Sequence, residues 1–136
     1  MYNNAIVNIK GTAKISNCTS LDRDWGGGAI HAYLNCQINI LGGLIENCHN
    51  AYDKPSAIQT NQSTLTIKDD ANASGEIITT PIIIQESDPN KNDTFIESYN
   101  GTNNIQGGWY SRSVTTASGY ACVGPLSATE TNELPN

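Results

Sequence analysis

Basic residues are scarce in this chain of 136 residues. It contains seven lysines and arginines against thirteen aspartates and glutamates, and its formal net charge is -6. Sequence-independent binding to nucleic acid or to an anionic membrane surface requires clustered cations, whereas the seven cations here are scattered along the chain. The composition therefore argues against both as partners.

Long hydrophobic runs are missing as well. No apolar stretch approaches the roughly 18 residues of a membrane-spanning helix, and the first residues lack the charged and apolar regions of a signal peptide. We therefore expect neither insertion into a membrane nor a signal peptide within these residues. The methionine at position 1 fits a natural start and the start of an excised segment equally well.

Helix signals and paired cysteine motifs are nearly absent. No stretch carries apolar residues at helical spacing over several turns. The cysteines are Cys18, Cys36, Cys48 and Cys122, and none of them belongs to a CxxC pair. This spacing argues against a zinc ribbon and against a thioredoxin-like site, while the even number permits disulfides without requiring them.

What the sequence does contain is an internal repeat. The stretch "VNIKGTAKISNCTS" from Val7 aligns with "INILGGLIENCHN" from Ile38, an offset of about 30 residues that is typical of solenoid repeats. The matched pairs are Ile9 with Ile40, Gly11 with Gly42, Ile15 with Ile45, Asn17 with Asn47 and Cys18 with Cys48.

Further echoes extend the repeat to about four units. "GGAIHAYLNCQINI" from Gly27 aligns with "SAIQTNQSTLTI" from Ser56, which places Ala29 and Ile30 on Ala57 and Ile58. "ASGEI" from residue 73 echoes "LGGLI" from residue 41. "NIQGGWYS" from residue 104 repeats "NILGGLIE", with Gly107 and Gly108 on Gly42 and Gly43 and Ile105 on Ile40.

Within each unit the apolar residues alternate with polar ones and are mostly β-branched, a pattern typical of short, half-buried strands. Strands that recur at this spacing predict an all-β parallel β-solenoid of about four to five coils, in which equivalent residues stack about 4.8 Å apart. The expected ladders are Ile9/Ile40/Ile67, Asn17/Asn47 and Cys18/Cys48. The Cβ separation of directly stacked residues exceeds that of a disulfide, so we expect Cys18 and Cys48 to be reduced.

The motifs "ISNCTS", "GGGAI", "ILGGLIENC" and "SAIQTNQSTLTI" resemble the right-handed parallel β-helix repeats of bacterial surface and adhesin-like proteins, which have a pectin-lyase-like fold. "IQGGWYSRSVTTASGYACV" is similar to the closing coil of such regions, and the likeness covers most of residues 5–123. The resemblance implies an extracellular or cell-surface location. We predict no cofactor.

The repeat also suggests how the chain is divided. Residues 1–124 are expected to form the β-helix domain, with an irregular loop at about 85–94 that extends from one coil. Residues 125–136 are polar and lack a pattern, which predicts a C-terminal tail or linker.

The glycines are predicted to be structural. Gly26, Gly27 and Gly28 would form the corner at which the chain enters the strand that begins at Ala29 and Ile30, because glycine permits tight turns. A phosphate loop would require a following helix or the GxxxxGK[ST] spacing, and neither is present.

Metal sites and catalytic constellations are weakly indicated. Asp88, Asn90 and Asn92 resemble the start of a calcium loop, but Asp93 replaces its glycine and Tyr99 stands where a bidentate glutamate should be. His31 and His49, with Cys36 and Cys48, match no known ligand spacing. We therefore predict no metal site.

The best catalytic candidates are also poorly arranged. Asp69 and Asp70 are adjacent and would point to opposite faces of a strand. Arg23 lies between Asp22 and Asp24, a triplet that is usually an exposed charged turn. We predict that the chain has no catalytic residue and is not an enzyme.

Aromatic side chains are the remaining candidates for binding. Trp25, Tyr33, Trp109 and Tyr110 could stack on sugar rings. Trp25 and Trp109 belong to different repeat registers, so no continuous aromatic stripe is expected, and Trp109 could instead cover the end of the core.

These observations favour a non-catalytic, surface-exposed module, structural or adhesive, that binds a glycan or a protein on its ladder faces. One alternative is the partial solenoid of a carbohydrate-active enzyme, a polysaccharide lyase or glycosidase with a site around Arg23; another is a spacer without a ligand. Because solenoid ends expose unpaired strand edges, these ends are expected to be capped by loops, by the rest of a longer chain or by another copy in an end-to-end homo-oligomer.

Overall fold

The computed structural model describes residues 1–52, 57–84, 96–111, 114, 120–123 and 127–130, with the backbone alone for 120–123 and 127–130. In this part of the chain the regular structure is entirely β, and no helix is present. The prediction of an all-β chain with stacked parallel strands is thus confirmed. The strands are β1 (Ile6–Ile9), β2 (Lys14–Ser16), β3 (Thr19–Ser20), β4 (Ile30–Tyr33), β5 (Gln37–Ile40), β6 (Leu44–Glu46), β7 (His49–Asn50), β8 (Ile58–Asn61), β9 (Thr64–Ile67), β10 (Asp70–Ala71), β11 (Ile77–Thr79), β12 (Ile82–Ile84), β13 (Ile96–Tyr99), β14 (Thr102–Ile105), β15 (Trp109–Tyr110), β16 (Tyr120–Val123) and β17 (Ser127–Glu130).

Three sheets contain most of these strands. Sheet I is β1-β5-β9-β14, sheet II is β2-β6-β12-β15 followed by β17 and β16, and sheet III is β4-β8-β13. Neighbouring strands are parallel except where β17 pairs with β15 and β16. The chain visits sheet I, sheet II and sheet III in the same order on each pass, and β3 and β7 form a short parallel pair between sheets II and III.

The core is built from residues that occupy equivalent positions in successive passes. Ile9, Ile40, Ile67 and Ile105 lie in register along sheet I, and each is at most 8% exposed. The predicted ladder of Ile9, Ile40 and Ile67 is confirmed, as is the alignment of Ile105 with it. Burial of each such side chain contributes roughly 1.5–3 kcal/mol.

The corners are stabilised by asparagines. The side-chain amide of Asn47 donates to Oδ1 of Asn17 at 2.6 Å, which confirms this predicted ladder. Both residues adopt positive φ, 56° at Asn17 and 49° at Asn47, a conformation that asparagine tolerates better than other non-glycine residues. Asn39 and Asn8 form a second amide pair at 2.9 Å in sheet I.

The stacked cysteines lie beside this corner. The backbone N–H of His49 donates to the carbonyl of Cys18 at 2.8 Å, so the two chain segments run in register there. Cys18 is partly buried and Cys48 is fully buried. That both thiols are reduced stays a prediction. Burial raises the pKa of the Cys48 thiol.

One predicted repeat relationship differs from the structure. "ASGEI" does not occupy the position of "LGGLI", because residues 70–79 form the antiparallel hairpin β10–β11. The strand that stacks on β6 is instead β12, with Ile82 beside Leu44. The hairpin is an insertion between sheets I and II, and its turn at Gly75 produced the sequence echo.

The remaining segments were predicted as a loop and a tail. The loop at about 85–94 lies outside the described residues, whereas the apolar run before it forms β12. Within the predicted tail, 125–136, the structure places β17, which pairs with β16 and with Trp109. No helix in the described ranges has the length and hydrophobicity needed to cross a membrane.

Candidate functional site

Strand β4 presents two side chains on the outer face of sheet III. Its burial alternates, with Ile30 and Ala32 in the core and His31 and Tyr33 only partly covered. Because successive side chains of a strand point to opposite faces, His31 and Tyr33 project on the same side. This pair forms the floor of the candidate site.

Trp25 faces this strand from the preceding loop. Oδ1 of Asp22 accepts hydrogen bonds from the backbone N–H of Asp24 at 2.9 Å and of Trp25 at 3.1 Å, which closes a tight local turn. The guanidinium carbon of Arg23 lies 5.2 Å from the centre of the Tyr52 ring, within the range of a cation–π contact. The triplet from Asp22 to Asp24 thus shapes the loop.

Buried amides from the next pass hold this loop in place. The backbone N–H of Gly26 donates to Oε1 of Gln59 at 2.5 Å, and the side-chain amide of Asn50 donates to the carbonyl of Gly26 at 3.0 Å. Asn50 and Gln59 are 3% and 5% exposed. A Cβ on Gly27 would lie 2.6 Å from the backbone nitrogen of Gln59, so only glycine fits there.

Gly26, Gly27 and Gly28, the glycines expected to form this corner, are all buried. Strand β4 begins at Ile30, one residue later than the expected start at Ala29. The second glycines of the two aligned pairs, Gly43 and Gly108, also share positive φ, 85° and 98°. Gly42 and Gly107, the first members of those pairs, are both buried.

Three rings form an aromatic cluster, defined here as Tyr2, Trp25 and Tyr33. The ring centres of Trp25 and Tyr33 are 6.4 Å apart with an interplanar angle of 30°, and those of Tyr2 and Tyr33 are 5.5 Å apart at 38°. Trp25 is 45% exposed and Tyr2 is 65% exposed. A cavity of about 200 Å³ lies against Trp25, His31 and Tyr33.

His31 brings a polar group to this largely aromatic cavity. Its Nε2 atom is shielded from solvent and has no hydrogen-bond partner in the described part of the chain. Burial lowers the pKa of His31, the positive N-terminus lowers it further, and Asp22 acts in the opposite direction. The imidazole is therefore neutral at pH 7 and can donate one hydrogen bond and accept another.

The structure separates the other predicted binding residues from the cluster. Trp109 is 49% exposed but belongs to sheet II, where it pairs with Ile82. Tyr110 is 1% exposed and continues the core ladder of Ile45 and Ile83. Tyr110 is thus a core residue and cannot contact a ligand in this structure, because the last pass places an aromatic ring where earlier passes have isoleucine.

Only some of the candidate metal ligands lie in the part of the chain that the structure describes. Asp88, Asn90 and Asn92 lie outside the described residues. Within the described ranges no group of three or more His, Cys, Asp or Glu side chains could hold a metal ion. Nε2 of His49 instead lies 2.8 Å from Oδ1 of Asn47, in the asparagine corner.

The carboxyl group of Asp69 lies in an altered environment. Burial raises its pKa, although hydrogen bonds from Gly108 and Thr80 oppose that effect. Its Oδ1 accepts the backbone N–H of Gly108 at 3.2 Å. This contact ties two passes together at a corner.

The sequence reasoning missed His31 and Tyr2 as members of the site. The alternation in "IHAY" places His31 beside Tyr33, so His31 could have been found from the pattern. Tyr2 approaches Tyr33 through a parallel bridge that no sequence signal indicates. Comparisons with protein-family models, with curated proteins and with solved structures each found no match to this chain.

Proposed function

We propose that this chain is a right-handed parallel β-solenoid that works outside the cell as a non-catalytic adhesion module and binds a glycan at the aromatic cluster. The solenoid is supported by the constant order in which the chain visits sheets I, II and III, with equivalent isoleucines in register. The location follows the resemblance to surface-protein repeats.

The observation that carries the glycan proposal is the pairing of Trp25 and Tyr33 beside a cavity that also contains His31. Exposed aromatic faces offer apolar area to the C–H face of a sugar, while their edges leave the sugar hydroxyls free for hydrogen bonds. The cavity of about 200 Å³ suits one sugar unit better than a folded protein surface.

The rigidity of the Trp25 loop supports the same proposal. Its backbone is held by Asn50 and Gln59, both buried and both contributed by the following pass. A binding surface that is ordered before the ligand arrives loses less conformational entropy on binding. Such preorganisation is expected of a binding site and is not required of a spacer.

The test is a glycan array containing neutral and uronic-acid polymers, probed with the purified chain with and without calcium, together with an assay for cleavage. Trp25→Ala should weaken binding about five- to tenfold, since an aromatic contact contributes about 1 to 1.5 kcal/mol. Trp109→Ala is the matched control, because Trp109 is similarly exposed on another sheet, and should leave binding unchanged.

Each other outcome contradicts a part of the proposal. Cleavage of any polymer would replace it with the carbohydrate-active enzyme. Equal losses in the Trp25 and Trp109 variants would move the site away from the aromatic cluster. Absence of binding to every glycan would favour a protein partner or a spacer.

A further inference from the structure

A second concave surface lies at the corner between sheets III and I. It is an open groove of about 390 Å³, a volume in the range of small-molecule sites. Three successive corners line it, residues 35–37, 62–64 and 100–102. The groove therefore crosses three passes of the chain in the stacking direction.

The lining of this groove, which we call the corner groove, contains no acidic, basic or histidine side chain. Amide and hydroxyl groups dominate it, including those of Gln62, Ser63, Asn100 and Thr102. In a chain with a net charge of -6, three consecutive corners without a charged residue form an uncharged, hydrogen-bonding surface.

The backbone fixes the spacing of these side chains. Asn35, Gln62 and Asn100 share positive φ values of 56°, 50° and 50°. The N–H of Asn35 donates to the carbonyl of Gln62 at 2.7 Å, and the N–H of Gln62 donates to the carbonyl of Tyr99 at 2.9 Å. Equivalent groups therefore recur about every 4.8 Å along the groove.

Aromatic rings stand beside both ends of this groove. Tyr33, Asn61 and Tyr99 are in register on sheet III, which places the two tyrosines roughly 9 to 10 Å apart, two strand spacings. Tyr99 is 55% exposed, and Tyr33 also belongs to the aromatic cluster. The corner groove thus begins two residues after Tyr33, a member of the aromatic cluster.

An unsatisfied polar atom lies between the two tyrosines. Asn61 is 3% exposed, and its Oδ1 has no hydrogen-bond partner among the residues that the structure describes. Buried polar atoms in folded proteins nearly always have a partner. A ligand hydroxyl group in this row is one way to provide it.

We propose that the corner groove extends the glycan site and holds a short stretch of a neutral oligosaccharide laid across the passes from Tyr33 to Tyr99. This inference rests on the proposed function. Amide and hydroxyl side chains match sugar hydroxyls, whereas a uronic-acid carboxylate would lose hydration without gaining a cation in the groove. The ligand is therefore an uncharged chain of sugars.

The test measures affinity by calorimetry for neutral oligosaccharides of increasing length, from monosaccharide to hexasaccharide, and for uronic-acid oligomers of equal length. Affinity should rise with length until the groove is filled. Thr102→Val, which removes a hydroxyl group, and Asn100→Gly, which keeps the positive φ, should each weaken hexasaccharide binding roughly three- to tenfold. Neither should change monosaccharide binding.

Thr12→Val is the matched control, because Thr12 lines a different depression near Gly43 and should have no effect. Thermal unfolding of each variant shows whether the fold is retained. If affinity does not depend on oligosaccharide length, or if the Thr102 and Asn100 variants bind the hexasaccharide as tightly as the natural chain, the corner groove is not a binding site. Either result would leave the proposal for the aromatic cluster intact. If uronic-acid oligomers bind as tightly as neutral ones, the proposal that the ligand is uncharged is wrong. If no glycan of any length binds, the proposed function itself fails.

Discussion

Single residues decide which side chains of this chain are available to a ligand. Tyr110 is an aromatic residue of the kind that could stack on a sugar ring. However, the residue is 1% exposed and its hydroxyl group donates to the carbonyl of Gly107. It closes the ladder that begins with Ile15, Ile45 and Ile83. The neighbouring Trp109 remains half exposed because consecutive residues of a strand face opposite ways.

The burial of Tyr110 predicts a graded loss of stability. Tyr110→Ala should lower the free energy of unfolding by about 3–5 kcal/mol through loss of a large core side chain, and Tyr110→Phe by about 1 kcal/mol through loss of the hydrogen bond. Trp109→Ala should cost about 1 kcal/mol or less. Urea unfolding measures all three, and a larger loss for Trp109 than for Tyr110 would contradict the core assignment.

The shielded imidazole of His31 predicts a dependence of stability on pH. In the folded chain the pKa of His31 lies below its ordinary value of 6.5. At a pH below 6.5 the unfolded chain therefore binds more protons than the folded chain. The stabilisation by neutral His31 is therefore complete above pH 6.5 and is lost as the pH falls through 6.5 towards the folded pKa. Tm measured between neutral and mildly acidic pH should fall more steeply for the natural chain than for His31→Gln. Parallel Tm curves for the two proteins would argue against a shielded imidazole.

At the scale of elements, contacts between passes shape the loops. The Trp25 loop contains a local turn at Asp22. Its corner is fixed by the side-chain amide of Gln59, which accepts from the N–H of Gly26 and donates to Glu97 at 3.0 Å. The hairpin β10–β11 is held in a similar way, because the hydroxyl group of Thr79 donates to the carbonyl of Leu41 at 2.9 Å. Neighbouring passes thus determine the conformation of these irregular segments.

Gln59 therefore predicts a charge-sensitive corner. Gln59→Glu would replace the amide that donates to Glu97 with a second carboxylate, so it should destabilise the fold at pH 7 by about 1–3 kcal/mol. Acidification should recover part of this loss, because two close carboxyls can share a proton. Gln37→Glu, on an exposed position of β5, is the control and should change stability little. A Gln59 variant as stable as the control at pH 7 would show that this amide does not fix the corner.

At the scale of the whole molecule, the stacking direction leaves strands at the ends of the sheets. β1 lies at the edge of sheet I and β2 at the edge of sheet II. An edge strand offers backbone hydrogen-bonding groups to any further strand. A strand from another segment or from another copy of the chain can therefore pair with β1 or β2 in the same register as the strands of the core.

The exposed edge strand β1 predicts that the chain self-associates. A charged residue introduced on β1 should reduce this association. Ile6 on β1 and Ile78 on the hairpin are both 61% exposed, but only Ile6 lies on an edge of the three main sheets. A lysine on an edge strand disfavours pairing, so Ile6→Lys should shift a concentration series towards monomer in sedimentation velocity. Ile78→Lys should not, and an equal shift in both variants would assign association to general hydrophobicity.

The sequence by itself determined the strand content and the stacking partners in the regular part of the repeat. Alternating β-branched residues within a repeat specified short strands, and Ile9 with Ile40, like Asn17 with Asn47, could be matched because stacking requires equivalent residues at equivalent positions. Gly27 was predictable for the same reason, since a tight corner admits only glycine. Local patterns are sufficient where each pass repeats the one before it.

The tertiary structure alone decided the features that depart from the repeat. Tyr110 is a core residue because it occupies the position that isoleucine occupies in earlier passes. Residues 70–79 form a hairpin because β10 and β11 pair with each other. Trp25 meets Tyr33 and His31 because Asn50 and Gln59, distant in sequence, hold its loop against β4. The candidate site depends on these contacts between passes, and no periodic pattern within one pass records them.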